Sequence, residues 1–240
     1  VVIEALIRGD VERATVHQPE MLKFGLDSGW QLDEAYTRLL SAQVREARGE
    51  ERAAREHLER ALEIGRMMRS PFVEFMARLT EAELCFASGE EDAGLGALRT
   101  AMALGKAGGF VNTQIWIPAV MAKLCAKALE AGIEVEYVQM LVRKRKLVPE
   151  EPPVEIEAWP WPVKVFTLGR FAILKDGEPV NFVRKVQRRP LALLKAVIAF
   201  GGRAIREETL IDSLWPEADG DAARFALTTA IHRLRRLLGH

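Results

Sequence analysis

The chain is short of cysteine and tyrosine, with two of each in 240 residues, and it has no net charge. No apolar run approaches the ~18–20 residues that a membrane-spanning helix requires, so no membrane partner is expected. Two cysteines cannot build a disulfide framework, which makes a reducing, cytoplasmic setting the default. The opening VVIEALIRGD is amphipathic and charged, unlike a signal peptide. It begins on Val1 and lacks an initiator Met, as expected of a piece of a longer polypeptide. Catalytic motifs are missing as well. Gly105-Lys106 is followed by Ala107 and has no upstream glycine, so there is no phosphate-binding P-loop. H-E-x-x-H, G-x-S-x-G and C-x-x-C do not occur. His17 and His57 stand alone, without metal-ligand spacing. These shortages assign no catalytic, cofactor-binding or metal residue, and the expectation is a protein that is not an enzyme.

What is present points to a folded protein of two parts. Hydrophobic residues make up 49% and charged residues 28%, the balance of a globular chain and not of a disordered one. The length allows two domains. The zero net charge conceals an asymmetry. Residues 163–240 carry 14 Lys+Arg against 8 Asp+Glu, or +6, which leaves −6 on residues 1–162. A basic end on an otherwise acidic chain is a pointer to nucleic acid.

The acidic part repeats itself. Gly9, Gly49 and Gly89 are 40 residues apart, as are Gly25, Gly65 and Gly105. Ala42, Ala82 and Ala122 follow the same spacing, and so do Val44, Leu84 and Leu124. HLERALEIG at 57–65 echoes ALRTAMALG at 97–105. Each unit holds two helical patterns, near 31–48, 70–88 and 113–131 for one set and near 10–27, 50–68, 90–107 and 134–147 for the other. The recurrent Gly-Asp or Gly-Glu reads as a helix stop followed by an acidic first turn. A lone helix pair cannot bury its apolar face, so such units stack into a solenoid. Cys85 and Cys125 share a repeat position and are expected to be small buried hydrophobes, too far apart to bridge. Trp30 and Trp116 are expected to pack in the core. Arg143–Lys146 closes the last helix and complements its dipole.

The period and the pattern of small and large residues resemble tetratricopeptide-like repeats, in the longer form seen in MalT-type bacterial regulators. A period near 40 also fits HEAT-like arrays. The resemblance implies a surface for a protein or effector partner, with a plain spacer as the alternative.

Residues 148–162 hold a cluster of prolines, VPEEPPVEIEAWPWP, which excludes helix and marks a linker between domains 1–147 and 163–240. Trp159 and Trp161 are candidates to pin that linker to a domain. From Val163 the period changes. VKVFTLG and RFAILKDG read as strands, with Asp176-Gly177 as a hairpin turn and EPVNF as a third short strand. RRPLALLKAVIAFGG is a helix with Leu191, Leu194 and Ile198 on one face, stopped by Gly201-Gly202. EETLIDSLWP is a shorter helix with Leu210, Ile211, Leu214 and Trp215 inward.

Asp221–Leu238 reads as one amphipathic helix. Leu227, Ile231, Leu234 and Leu238 recur at helical spacing. Arg224, Thr228, His232, Arg235 and Arg236 lie roughly opposite. Arginine, histidine and threonine on one helix face suit the major groove of DNA, where they reach base edges and phosphates. An ordinary solvated face on a core helix has the same appearance.

The succession VFTLGRFAILKDGEPV, PLALLKAVIAFGG, LIDSLWP and IHRLRRLLG resembles the OmpR/PhoB-type winged helix, and more closely its form in SARP-like and MalT-like bacterial transcriptional activators. The expected fold class is therefore mainly α with a small α+β domain: an α-solenoid followed by a winged helix-turn-helix. The resemblance implies that 221–238 is the recognition helix, with Thr228, His232 and Arg233 facing DNA and Arg235 at a phosphate; Thr229 joins the candidate DNA-binding set. It also implies a backbone contact by Trp215, for which a core anchor is an equal alternative. Arg184, Lys185, Arg188, Arg224 and Arg236 complete the candidate DNA-binding set. Ala230 stands where many response regulators carry a phosphate-binding histidine, so that contact is not expected. The loop 217–220 corresponds to one that touches RNA polymerase in the family, and dimers on DNA are a family property. The family adds a β-hairpin wing after the recognition helix, and the sequence ends before one.

Two readings of different kinds follow: a transcriptional regulator that binds double-stranded DNA, or a protein-interaction scaffold whose C-terminal domain serves protein contacts.

Overall fold

A computed structural model of the chain describes residues 1–151, 153–180 and 188–239. Among these residues the fold is mainly helical, with eleven helices and one small antiparallel sheet. The chain divides into two compact units, Val1–Pro160 and Trp161–His240. No helix among the described residues is long and apolar enough to cross a membrane.

Unit 1 holds α1 (Val2–Ile7), α2 (Val11–Asp27), α3 (Gln31–Ala47), α4 (Glu51–Met68), α5 (Pro71–Ala87), α6 (Glu91–Gly108), α7 (Pro118–Glu130) and α8 (Val135–Arg145). From α1 to α8 each helix packs on the next, and α3 also touches α5, α5 touches α7 and α6 touches α8. The 40-residue spacing reappears as helix starts at residues 11, 51 and 91 and at 31 and 71. The repeated glycines take two distinct jobs. Gly9, Gly49 and Gly89 have φ of 72°, 73° and 79°, the left-handed geometry that ends a helix without penalty only at glycine. The next amide in each case donates to the carbonyl five residues back, on Ala5, Arg45 and Cys85.

Gly25, Gly65 and Gly105 sit inside helices and permit close packing. A Cβ at Gly25 would fall on Thr37 of α3, and one at Gly65 would lie 3.3 Å from Val73 of α5. At Gly105 it would collide with Phe75 and Tyr137. The repeated alanines Ala42, Ala82 and Ala122 are fully buried for the same reason. Arg55 on α4 reaches Glu90 before α6 at 2.8 Å, and Arg60 reaches Glu34 on α3 at 3.0 Å, so polar ties accompany the apolar stack. Cys85 and Cys125 are free and buried, and burial pushes the Cys125 thiol up to about 12.

Three features differ from the sequence expectations. The helix expected from 113 begins at Pro118. Gly109 turns the chain at φ 64°, and Pro118 favours the first turn of a helix, where its missing amide costs nothing. Trp30 is 73% exposed, since it precedes α3 at the end of a turn and is not in the core. Trp116 is buried. The proline-rich segment, expected as an interdomain linker, stays with unit 1 as far as Pro160. Leu147 and Trp159 are buried, and Gln139 Nε2 donates to the Ala158 carbonyl at 2.8 Å.

Gly105→Ala is expected to lower the stability of the full chain by ~1–3 kcal/mol through overpacking. Gly96→Ala, on the same helix at an exposed position where the methyl meets nothing, is expected to raise it by ~0.5–1 kcal/mol. Urea denaturation followed by helical circular dichroism measures both.

Candidate functional site

Unit 2 begins with β1 (Val163–Phe166), β2 (Ala172–Lys175) and β3 (Glu178–Pro179), antiparallel in the order β1-β2-β3. Val163 pairs with Lys175, and Lys175 with Glu178. Asp176 and Gly177 both have positive φ, 50° and 89°, the two-residue turn whose twist matches a hairpin. Three helices follow: α9 (Arg188–Ala199), α10 (Glu207–Leu214) and α11 (Gly220–Leu238).

These helices pack on one another around Leu193 of α9, Leu210 of α10 and Leu227 and Ala230 of α11. Ile211, Leu214, Trp215, Ile231 and Leu234 pack against that cluster. The face that α9 turns inward differs from the expected one. It buries Pro190, Leu193 and Leu194, whereas Leu191 is half-buried and Ile198 is 37% exposed. The run RRPLALLKAVIA has apolar residues on several faces, so its period alone does not select among them. Contact with Leu210 and Leu227 does.

On α11 the burial of Ala223, Leu227 and Ala230 sets what points outward. A helix turns by about 100° per residue. Arg224 and Arg233 therefore stand about half a turn apart and bound the exposed arc. Between them lie Arg235, Thr228, Asp221, His232, Phe225, Arg236, Thr229 and Ala222. All are exposed except Thr229, which is half-buried. The structure thus brings Arg224, Thr228, His232, Arg235 and Arg236 onto one face. Arg233 flanks that face at its edge.

Phe225 was absent from the sequence-derived set. It is 76% exposed near the middle of the arc. Its helical position opposite Leu227 and Leu234 is the signal that finds it. It stands as an exposed apolar ring among arginines and a histidine.

Trp215 is half-buried and packs on the three-helix core. Arg189 lies over its ring with the guanidinium 5.8 Å from the centroid, and Arg189 Nη1 donates to the Leu214 carbonyl at 2.9 Å. Arg189, a second residue outside the original set, thereby closes the C-terminus of α10. Arg188 is exposed at the first residue of α9. Arg184 and Lys185 lie outside the described residues. Asp221 in the first turn of α11 and Arg235 and Arg236 in its last turn agree with the helix dipole. Part of the basic character of α11 therefore has a structural cause.

No group of His, Cys, Asp and Glu that could hold a metal ion occurs among the described residues. Leu227→Ala is expected to destabilise unit 2 by ~2–5 kcal/mol through an unfilled cavity. Thr228→Ala and His232→Ala are expected to change it by no more than about 0.5 kcal/mol. Hydrogen exchange of the α9–α11 amides in the full chain separates the two classes. No protein-family model, curated protein or solved structure matches the chain.

Proposed function

We propose that the chain acts as a bacterial transcriptional regulator, an activator that works in the cytoplasm and binds double-stranded DNA through α11. The observation that carries the reading is the exposed arc of α11: arginines, His232, Thr228 and Phe225 on the side opposite a buried apolar stripe. The +6 charge on residues 163–240 supports it, because neutralising phosphates supplies most of the non-specific affinity for DNA. In this reading α10, the turn at 215–219 and α11 form a helix-turn-helix, and the three-stranded sheet and α9 are the elements that precede it in an OmpR/PhoB-type winged helix. The chain belongs to no enzyme class and carries no cofactor.

Phosphate contacts are assigned to Arg184, Lys185, Arg188, Arg233, Arg235 and Arg236. Base contacts are assigned to Thr228, His232 and Phe225, with Arg233 reaching in from the edge of the arc and Thr229 beside it. Trp215 acts as a core anchor that holds α10 against α11. Glu217–Gly220 is the segment for RNA polymerase, and binding to DNA is as a dimer. The helices of unit 1 form a tetratricopeptide-like solenoid that receives the signal or partner. Their starts at intervals of 20 residues from 11 to 91 and their sequential packing support that assignment.

A second reading takes unit 2 as a protein-contact module. It draws on Phe166 and Leu168, which are 48% and 93% exposed.

Selection of duplexes from a randomised pool by the full chain, followed by titration across salt concentrations, tests the proposal. Affinity is expected to fall steeply with salt. The double variant Arg235→Glu, Arg236→Glu is expected to lose at least ~tenfold in affinity and to flatten the salt slope by about 2. Phe225→Ala, Thr228→Ala and His232→Ala are each expected to cost ~1–3 kcal/mol on the selected duplex and little on random DNA. Affinity that ignores both salt and charge reversal would decide for the protein-contact module.

A further inference from the structure

Unit 1 contains a groove that no part of the DNA-binding reading uses. The positions Gln43 on α3, Glu83 on α5 and Lys123 on α7 are 40 residues apart. Because α5 packs on both α3 and α7, this repeat position recurs along one side of three neighbouring helices. It carries an amide, a carboxyl and an ammonium in turn, so the repeat preserves the backbone plan there and not the chemistry. The groove beside these helices has a volume of about 610 Å³, within the range that holds a small organic molecule. Its walls are Glu46, Glu83, Phe86, Val120 and Leu124, with Lys123 at its side.

The charges of the groove are unbalanced. Glu46 on α3, Glu83 on α5, Glu130 on α7 and Glu150 and Glu151 after α8 face Lys123 and Lys127. Lys127 is already engaged, since it pairs with Glu91 on α6 and lies over the Phe86 ring. Glu83 is half-buried on α5, and its carboxyl makes no hydrogen bond among the described residues. Burial first, and then the charge of Glu46, push it up to about 8, against the opposing pull of Lys123. Burial also raises Glu46, again opposed by Lys123.

A second, independent observation lies at the inner wall. A narrow recess of about 20 Å³ shares Glu83, Val120 and Leu124 with the groove. Gln43 and Trp116 line it, at 7% and 6% exposure. Gln43 Oε1 and Trp116 Nε1 are buried there without a hydrogen-bond partner. The Gln43 amide is held through Nε2, which donates to the Ile115 carbonyl at 3.4 Å, so its Oε1 and the Trp116 N–H are the unmet groups of the recess. Native proteins leave few buried donors and acceptors unmet, and such atoms mark a place for a missing polar group.

We propose that the groove between α3, α5 and α7 binds an alkylammonium group, with its charge on Glu46 and Glu83 and its apolar stem on Phe86, Val120 and Leu124. A small polar substituent, or a water held with the ligand, completes Gln43 and Trp116. The ammonium belongs either to a free amine or to a lysine side chain of a peptide. The site gives a place and a chemistry to the signal-receiving role proposed for unit 1, and it rests on that reading for its consequence in the cell.

The full chain is titrated with hexylamine, hexanol, hexanoate and the capped tripeptide acetyl-Leu-Lys-Leu-amide. The Trp116 indole N–H resonance, assigned by Trp116→Phe, reports binding. Hexylamine or the lysine peptide is expected to shift it, and whichever binds more tightly identifies the source. Hexanol and hexanoate are expected to leave it in place. Binding requires the ionised Glu83, so affinity is expected to rise by up to ~tenfold per pH unit between about 6 and 8 and to level off above, while the amine stays charged. Glu83→Gln is expected to lose at least ~tenfold in affinity, and Lys123→Met, which removes the competing internal cation, is expected to gain.

The same carboxyl couples folding to pH. A carboxyl raised in the folded state binds more protons there than in the unfolded chain, so stability falls as pH rises from about 4.5 through about 8. Glu83→Gln is expected to remain folded and to lose that decline. Equal binding of hexanol, preference for hexanoate, no binding of either ammonium probe, or undiminished affinity in a folded Glu83→Gln would overturn the proposal. A parallel DNA titration keeps the two readings apart. Ammonium binding without DNA binding removes the regulator and retains the groove, and the converse result removes the groove alone.

Discussion

The burial of Ala223, Leu227 and Ala230 of α11 against Leu193 and Leu210 is the constraint from which the surface of unit 2 follows. A helix that hides one stripe has no freedom in what it shows on the other side. Once Leu227 is inside, Thr228, His232 and Phe225 are outside, and Arg224 and Arg233 stand at the two edges. The same contact holds α9 and α10 in place. Arg189 then fastens their ends by covering Trp215 and taking the Leu214 carbonyl. The functional proposal for α11 is thus tied to a packing arrangement that a single leucine truncation disturbs.

Unit 1 is governed by how closely helices approach. Buried alanines at 42, 82 and 122 and helical glycines at 25, 65 and 105 remove the side-chain volume that would hold neighbours apart. A repeat built on small residues fixes spacing and leaves the wall residues free to vary. Gln43, Glu83 and Lys123 illustrate that freedom, since one backbone position carries three chemistries. The cost is a partly enclosed carboxyl and two unmet polar atoms. Those are the features that the proposed ligand would meet.

Much of this was legible in the chain. The Gly-Asp and Gly-Glu stops, the 40-residue spacing, the Asp176-Gly177 hairpin and the limits of α11 are local signals, set by backbone geometry and helical period. What was not legible depends on which of several apolar faces finds a partner. RRPLALLKAVIA offered more than one face, and only contact with α10 and α11 chose Leu193 over Ile198. Phe225 was passed over because phenylalanine reads as core until the buried stripe is known. Trp30 was misplaced by the same reasoning. The groove was invisible because Glu46, Glu83 and Trp116 are distant in sequence and only packing joins them. The bond from Gln139 to the Ala158 carbonyl is a long-range contact that proline content does not encode.

The central claim is that α11 presents a nucleic-acid-reading face. Amide and side-chain NMR of the full chain, titrated with a duplex chosen by selection, tests it most directly. The account predicts perturbations concentrated on Arg224, Phe225, Thr228, His232, Arg235 and Arg236, with the signals of Leu193 and Leu210 nearly unmoved. Perturbations confined to the helices of unit 1, or none on α11 at saturating duplex, would contradict it.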